Sequence, residues 1–160
     1  MCLFSTSNKL IADKDIVCWK VIKRYNGAPF ARSFMRDTII YNDVLRGKED
    51  YLPVPQYTLG EDAFDIKGIG YVHAFTDRRA AVYTYWLHDK SSKSIGAKVE
   101  LYECVIPKGT VYYTGSDNGR ECMRSAAAKR MRFVRKVRRV YKKEMNEAIN
   151  YVCSYENTGM

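Results

Sequence analysis

The stretch from Arg124 to Lys143 constrains the fold more than any other part of the sequence, because ten of its residues are basic and none is acidic. Charged side chains stay at the surface of a folded protein unless they are paired, so this stretch must present a face to solvent. The chain holds 27 basic and 18 acidic residues, and without this stretch the balance is 17 to 18. The net charge of +9 therefore comes from one segment.

Apolar residues in and around this stretch recur every three or four positions, which predicts one long helix over residues 120–152. Its apolar stripe comprises Met123, Ala127, Val134, Val137, Tyr141, Met145, Ile149 and Val152. At about 100° per residue, the opposite face carries Arg124, Lys129, Arg132, Arg135, Lys136, Arg139, Lys142 and Lys143. Like charges at these spacings repel each other, so a face of one sign indicates an anionic partner, and a plain solvated face is the alternative. Nucleic acid is the leading candidate, ahead of other polyanions, since phosphate contacts need no base reading.

The remaining patterns predict an α+β fold in one domain over residues 1–160. Strands are expected over 15–24, 71–75, 98–106 and 110–113, and Thr76 or Asp77 is expected to cap a helix over 78–88. The expected architecture is a mixed or mostly antiparallel sheet, with a short helix and a long, basic, amphipathic C-terminal helix. A curled sheet is one option. We expect flexibility in residues 1–14 and 153–160 and in the serine-rich link 91–96.

Several classes of protein are excluded by what the sequence lacks. No apolar run approaches the roughly 18 residues of a membrane span, and the first residues do not form a signal peptide. The five cysteines have no paired spacing, so we expect reduced thiols, a cytoplasmic protein, and no metal or other cofactor. Phosphate-loop and hydrolase motifs are absent. Their absence favours a protein without enzymatic activity but does not decide whether the protein is an enzyme.

Two segments are candidates for binding a small anion. By alternation His73 shares a strand face with Tyr71 and Phe75, and a packed histidine is the plainer alternative to a functional one. Together with Tyr112 and Tyr113, and with Arg130 reaching inward, these residues form a candidate nucleotide pocket comprising Tyr71, His73, Tyr112, Tyr113 and Arg130. The segment 114–119 precedes the predicted helix, where backbone N–H groups favour anions, although an ordinary capped turn fits as well.

Two resemblances add expectations about origin and function. The segments Asp15–Lys20, Gly70–Phe75 and Glu103–Tyr113 resemble small uncharacterised proteins of gut Bacteroidetes and their phages, which implies the cytoplasm of a bacterial or phage-infected cell. The strand ending Ile106-Pro107-Lys108-Gly109-Thr110, after a strand that contains His73, is similar to mono-ADP-ribosyltransferase domains. Their Ser-Thr-Ser strand and Glu-x-Glu element are absent here, and Glu100 and Glu103 are spaced one residue too far apart. That resemblance therefore implies a nucleotide-binding fold without the catalytic motif.

Three functions follow as hypotheses. The first is a non-enzymatic module that binds nucleic acid or another polyanion through the basic helix face. The second is a nucleotide-binding protein, either a transferase-like enzyme or a phage protein that sequesters a host nucleotide signal. The third is a structural or interaction protein, such as a minor phage component, with self-assembly as an open alternative. We do not expect a membrane partner, because the apolar stripe has few bulky side chains.

Overall fold

A computed structural model describes residues 3–5, 7–25, 31–33, 40–41, 50–51, 71–117 and 120–158. These residues form strands and two helices. In chain order the elements are β1 (Leu3–Ser5), β2 (Leu10–Ile11), β3 (Ile16–Tyr25), β4 (Ala31–Ser33), β5 (Ile40–Tyr41), β6 (Asp50–Tyr51), β7 (Val72–Phe75), α1 (Arg78–Lys93), β8 (Ala97–Ile106), β9 (Val111–Asp117), β10 (Arg124–Ala128), β11 (Met131–Lys136) and α2 (Lys142–Thr158). The predicted α+β class, with a C-terminal helix, is confirmed.

The sheet is antiparallel in every pairing of the described strands, and its main path runs β1-β9-β10-β7-β3-β8-β11-β6. Its longest pairing joins β3 to β8, in register from Ile16 opposite Ile106 to Tyr25 opposite Ala97. Both strands are rich in β-branched and aromatic residues, which suit a pleated and largely buried surface. The pairing between β3 and β7 is limited to Trp19 opposite Phe75, so these two strands run side by side for only a short distance.

The connection from β10 to β11 shows that the sheet curls. Three strands lie between β10 and β11 in the sheet order, so a flat sheet would hold them about 19 Å apart. Only Lys129 and Arg130 link the two strands, and three peptide units reach about 11 Å at most. The sheet must therefore bend until β10 and β11 approach each other. It is the curled sheet that the sequence left open as one option.

Each face of the curled sheet has its own core. Inside the curl, Cys18, Ile22, Ala74, Ala126 and Phe133 belong to one buried cluster. On the other face Val21, Phe75 and Leu101 pack against the two helices. The helix residues of that second cluster are Ala80, Ala81, Val82, Ala148 and Val152. The central strands are thus buried on both sides, which explains their long apolar runs.

The predicted helix over residues 120–152 is wrong for its first two thirds. Residues 124–128 and 131–136 are strands, and the helix begins at Lys142 and continues to Thr158. Ala126, Ala127 and Ala128 are each fully buried because β10 is covered on both faces, while Met131 and Phe133 alternate with the more exposed Arg132 and Val134. This period of two competes with the helical spacing of the same residues, and the tertiary packing decides between them.

Other boundaries also differ from the expectation. Asp77 is the N-cap of α1 as predicted, since its carboxylate accepts a hydrogen bond from the backbone N–H of Arg79. The helix continues to Lys93, so half of the serine-rich link, residues 91–93, is helical. Both predicted flexible ends contain regular structure, because β1 and β2 pair with β9 and the last helix extends to Thr158.

Candidate functional site

A cavity of about 410 Å³ opens where β7 ends and where β9 and β10 pair. It lies beside the turn that joins β9 to β10, and that turn contributes Glu121. The cavity is lined by Thr76, Thr114, Gly115, Ser116, Glu121, Arg124 and Ser125. Its volume falls in the range of roughly 300 to 1,000 Å³ that is typical of small-molecule sites. We call it the polar cleft, because six of its seven residues have a hydroxyl or a charge.

Strand register places four of these side chains on one face. Arg124 lies directly opposite Ser116, and Ala126 lies between Thr114 on one side and Ala74 on the other. Since side chains alternate along a strand, Thr76 continues the face of Ala74. The polar cleft therefore gathers one guanidinium and three hydroxyl groups from three neighbouring chain segments.

Backbone hydrogen bonds fix the end of β10 that carries Arg124. The carbonyl oxygen of Arg124 accepts a hydrogen bond from the N–H of Thr76 at 3.0 Å. The N–H of Asp117 donates to Met123 at 2.9 Å, and the N–H of Met123 donates to Arg120 at 2.8 Å. Cys122 and Met123 are buried against the helices. The turn thus holds Arg124 on a rigid strand end rather than on a loose loop.

Two charges of opposite sign line the polar cleft without pairing. Arg124 and Glu121 are both exposed, and within the described residues neither of them makes an ion pair. Within the described residues, partly covered arginines elsewhere meet a carboxylate, as Arg24 meets Glu100 and Arg78 meets Glu144. An unpaired guanidinium beside three hydroxyl groups can hold a phosphate or carboxylate, and Glu121 can accept a hydrogen bond from a ligand hydroxyl or amino group.

Ser125 also lines the polar cleft, but its side chain alternates to the other face of the sheet, where its strand neighbours are Phe75 and Gly115. Its side chain is 1% exposed, and its hydroxyl has no hydrogen-bond partner. Buried hydroxyls are normally satisfied, but this one lies on the face away from Arg124, Thr114 and Ser116, so we do not count it among the ligand-binding groups.

The basic residues predicted to share one helix face lie in different places. Three are paired with the protein's own carboxylates: Arg132 lies 3.6 Å from Asp15, Arg135 2.7 Å from Glu103, and Lys136 3.7 Å from Glu100. Lys129 lies over the Tyr71 ring at 4.3 Å. Arg124 lines the polar cleft, and only Arg139, Lys142 and Lys143 remain together near the start of α2. The prediction of a single basic helix face is therefore wrong. Its physical reason is that residues 124–128 and 131–136 form two strands instead of a helix.

The predicted nucleotide pocket is brought together only in part. His73 and Tyr113 lie on either side of Ala127, and the ring of Tyr71 meets that of Tyr113 edge-on at 5.7 Å. Tyr112 faces the opposite way and packs on the core inside the curl. Arg130 is partly buried at the corner between β10 and β11. The side chains of the polar cleft lie further along the same three strands, on the opposite face from those of His73 and Tyr113.

The four cysteines that the structure describes are free thiols, and the two on the central strands are poorly suited to catalysis. Cys18, Cys104 and Cys122 are buried, Cys153 is exposed, and all four are free thiols. Burial raises the pKa of Cys18 to about 12 and holds the pKa of Cys104 well above its usual value. Thiols of this kind stay protonated and inert at neutral pH. Within the described residues, no cluster of histidine, cysteine and acidic side chains could hold a metal ion.

The two glutamates of β8 face opposite sides of the strand. Glu100 lies opposite Ile22 and Glu103 lies opposite Trp19, and these partners belong to the two different cores. Each carboxylate is held by arginine, and neither lines the polar cleft. They therefore do not act together as an acid and base at that site.

No family model, curated protein or solved structure matches this chain. Both resemblances noted in the sequence therefore stay predictions. In the part of the chain that is described, neither helix is long and apolar enough to cross a membrane. The function has to be argued from the polar cleft itself.

Proposed function

We propose that the protein binds a small anionic ligand of the nucleotide class in the polar cleft. The observation that carries this proposal is Arg124, a cation on a rigid strand end, opposite Ser116 and without a carboxylate partner among the described residues. An exposed arginine fixed beside hydroxyl groups is suited to the phosphate of a ligand, which it can bind through two N–H groups.

The other lining residues favour a nucleotide over a simple anion. Inorganic phosphate needs only donors, and Glu121 would repel it. A nucleotide has a phosphate for Arg124, Thr114 and Ser116, and it also has ribose hydroxyls or an amino group that can donate to Glu121. The mixture of one guanidinium, one carboxylate and several hydroxyls therefore fits a ligand that has both an anionic end and hydrogen-bond donors.

We expect a nucleotide to raise the melting temperature, and we expect Arg124→Gln to abolish the rise. A ligand at one hundred times its dissociation constant adds about 2.7 kcal/mol, which corresponds to roughly 5–11 °C for a chain of this size. Thermal unfolding would be followed with AMP, ADP, a cyclic nucleotide and a dinucleotide, each beside adenosine and inorganic phosphate. Adenosine lacks the phosphate, and phosphate lacks the ribose, so neither should match the best nucleotide.

Arg135→Gln is the matched control for this experiment. It removes the same charge from another exposed arginine, which pairs with Glu103 on β8. It should leave the nucleotide response unchanged. Glu121→Ala should weaken nucleotide binding but not phosphate binding. No response to any nucleotide, or an equal loss in both arginine variants, would refute the proposal.

A further inference from the structure

The structure has a smaller cationic surface, although it lacks the predicted basic helix face. It lies in the link from β11 to α2 and in the first turn of α2. It consists of Arg138, Arg139, Tyr141, Lys142 and Lys143, all of them exposed. We call these five residues the basic ridge. None of them lines the polar cleft.

The four cations of the basic ridge are not neutralised within the described part of the protein. No carboxylate lies within ion-pair distance of them, in contrast to Arg132, Arg135 and Lys136 just before them. The nearest acidic residue in the chain, Glu144, is bound by the guanidinium of Arg78 on α1. Four adjacent charges of one sign repel each other and do not stabilise the fold. The basic ridge is therefore a surface whose charge is available to a partner.

Tyr141 indicates which polyanion fits this surface. Its ring is 61% exposed, and the guanidinium of Arg139 lies 4.9 Å from the ring centre. An acidic protein or an anionic membrane can contact the cations and cover a tyrosine, but neither presents flat rings at regular intervals between its charges. A single-stranded nucleic acid uses both, because its phosphates contact the cations while an unpaired base stacks on the aromatic face.

We infer that the basic ridge binds single-stranded nucleic acid, with phosphates on Arg138, Lys142 and Lys143 and a base stacked on Tyr141 beside Arg139. This surface is independent of the polar cleft, so the two proposals fail or succeed separately. The expected binding has little sequence preference and depends steeply on salt.

The test measures fluorescence anisotropy of a labelled deoxythymidine homopolymer about 12 nucleotides long. With three phosphate contacts, the affinity should fall about 20-fold between 50 mM and 200 mM salt. Replacing Arg138, Arg139, Lys142 and Lys143 together by glutamine should weaken binding by at least about tenfold and flatten the salt dependence. Tyr141→Ala should weaken binding about tenfold, whereas Tyr141→Phe keeps the ring and should bind like the natural chain.

The matched control changes the net charge by the same amount elsewhere. Lys9, Lys14, Lys98 and Lys108 are exposed and lie outside the ridge, so their replacement by glutamine should leave the affinity within about threefold. An equal loss in the control would overturn the proposal, since binding would then follow total charge. Equal binding of a duplex without any effect of Tyr141→Ala would overturn it too. So would polyglutamate or anionic vesicles that compete as well as the unlabelled oligonucleotide.

Discussion

Glu100→Gln should lower the free energy of unfolding by about 3 kcal/mol at pH 7, because it breaks a buried ion pair and leaves the partner in place. The carboxylate of Glu100 is 5% exposed and accepts hydrogen bonds from Arg24 at 3.1 and 3.4 Å. It also accepts a hydrogen bond from the hydroxyl of Tyr102 at 3.0 Å, and it lies 3.7 Å from the ammonium of Lys136. Glutamine keeps the volume but loses the charge that balances two cations.

The pH dependence of Glu100→Gln has a definite sign. Burial alone would raise the pKa of Glu100, but the hydrogen bonds from Arg24 and Tyr102 and the nearby cations outweigh it, so the pKa lies below its usual value of 4.5. A carboxyl with a lowered pKa contributes stability above its unfolded pKa and loses it as the pH falls through the folded pKa. The difference between the natural chain and the variant should therefore shrink below about pH 4.5.

Urea unfolding followed by tryptophan fluorescence measures this difference, and Glu103→Gln is its control. Glu103 lies on the same strand and pairs with Arg135 at 2.7 Å, but that arginine is 69% exposed. Solvent screens such a pair, so the control should change stability by less than about 1 kcal/mol. If both variants lost the same stability, or if the loss from Glu100→Gln did not depend on pH, the buried network would not have the role assigned to it.

The elements that the sequence predicts correctly are those with two agreeing local signals. β3, β7 and β8 combine alternation with β-branched and aromatic residues, and α1 combines a capping aspartate with a helical run. The segment 124–136 has conflicting signals. Met123, Ala127 and Val134 fit a helical stripe, while Met131 and Phe133 fit a strand. Alanine has little preference for strands on its own, so β10 is specified by its neighbours β7 and β9 rather than by its own residues.

The polar cleft could be predicted only in fragments, because three separate segments build it. The sequence predicts Arg124 as an anion-binding residue and the segment 114–119 as a candidate anion site. It indicates Thr76 only as a helix cap, and it gives no reason to select Glu121 or Ser125. Their proximity depends on the register of β9 and β10. The alternation of Thr114 and Ser116 along β9 was the one local hint of a polar strand face.

Lys20→Met should raise the free energy of unfolding by about 2 kcal/mol at pH 7. The ammonium of Lys20 is buried among Cys18 and Cys104 inside the curl, where it donates a hydrogen bond to the carbonyl oxygen of His73. Burial lowers its pKa from 10.5 to about 8, which costs about 3 kcal/mol while the side chain stays protonated. Methionine avoids this cost but cannot make the hydrogen bond to His73, and the loss of that bond lowers the stability by about 1 kcal/mol. Methionine keeps the length of the side chain and places an apolar thioether in the same space.

The same lysine gives the natural chain a rise in stability at alkaline pH that the variant should lack. Between about pH 8 and 10.5 the unfolded chain still binds the Lys20 proton and the folded chain does not, so stability rises with pH there. Burial holds the pKa values of the folded Cys18 and Cys104 thiols above this range, and the same thiols titrate alike in the two unfolded chains, so the difference between the two unfolding curves reports the lysine. Lys23→Met is the control, because Lys23 lies on the same strand but is partly exposed over the Tyr25 ring. If Lys20→Met destabilised the protein at pH 7, or if its advantage persisted unchanged above pH 10.5, the buried charge of Lys20 would not cost the stability assigned to it.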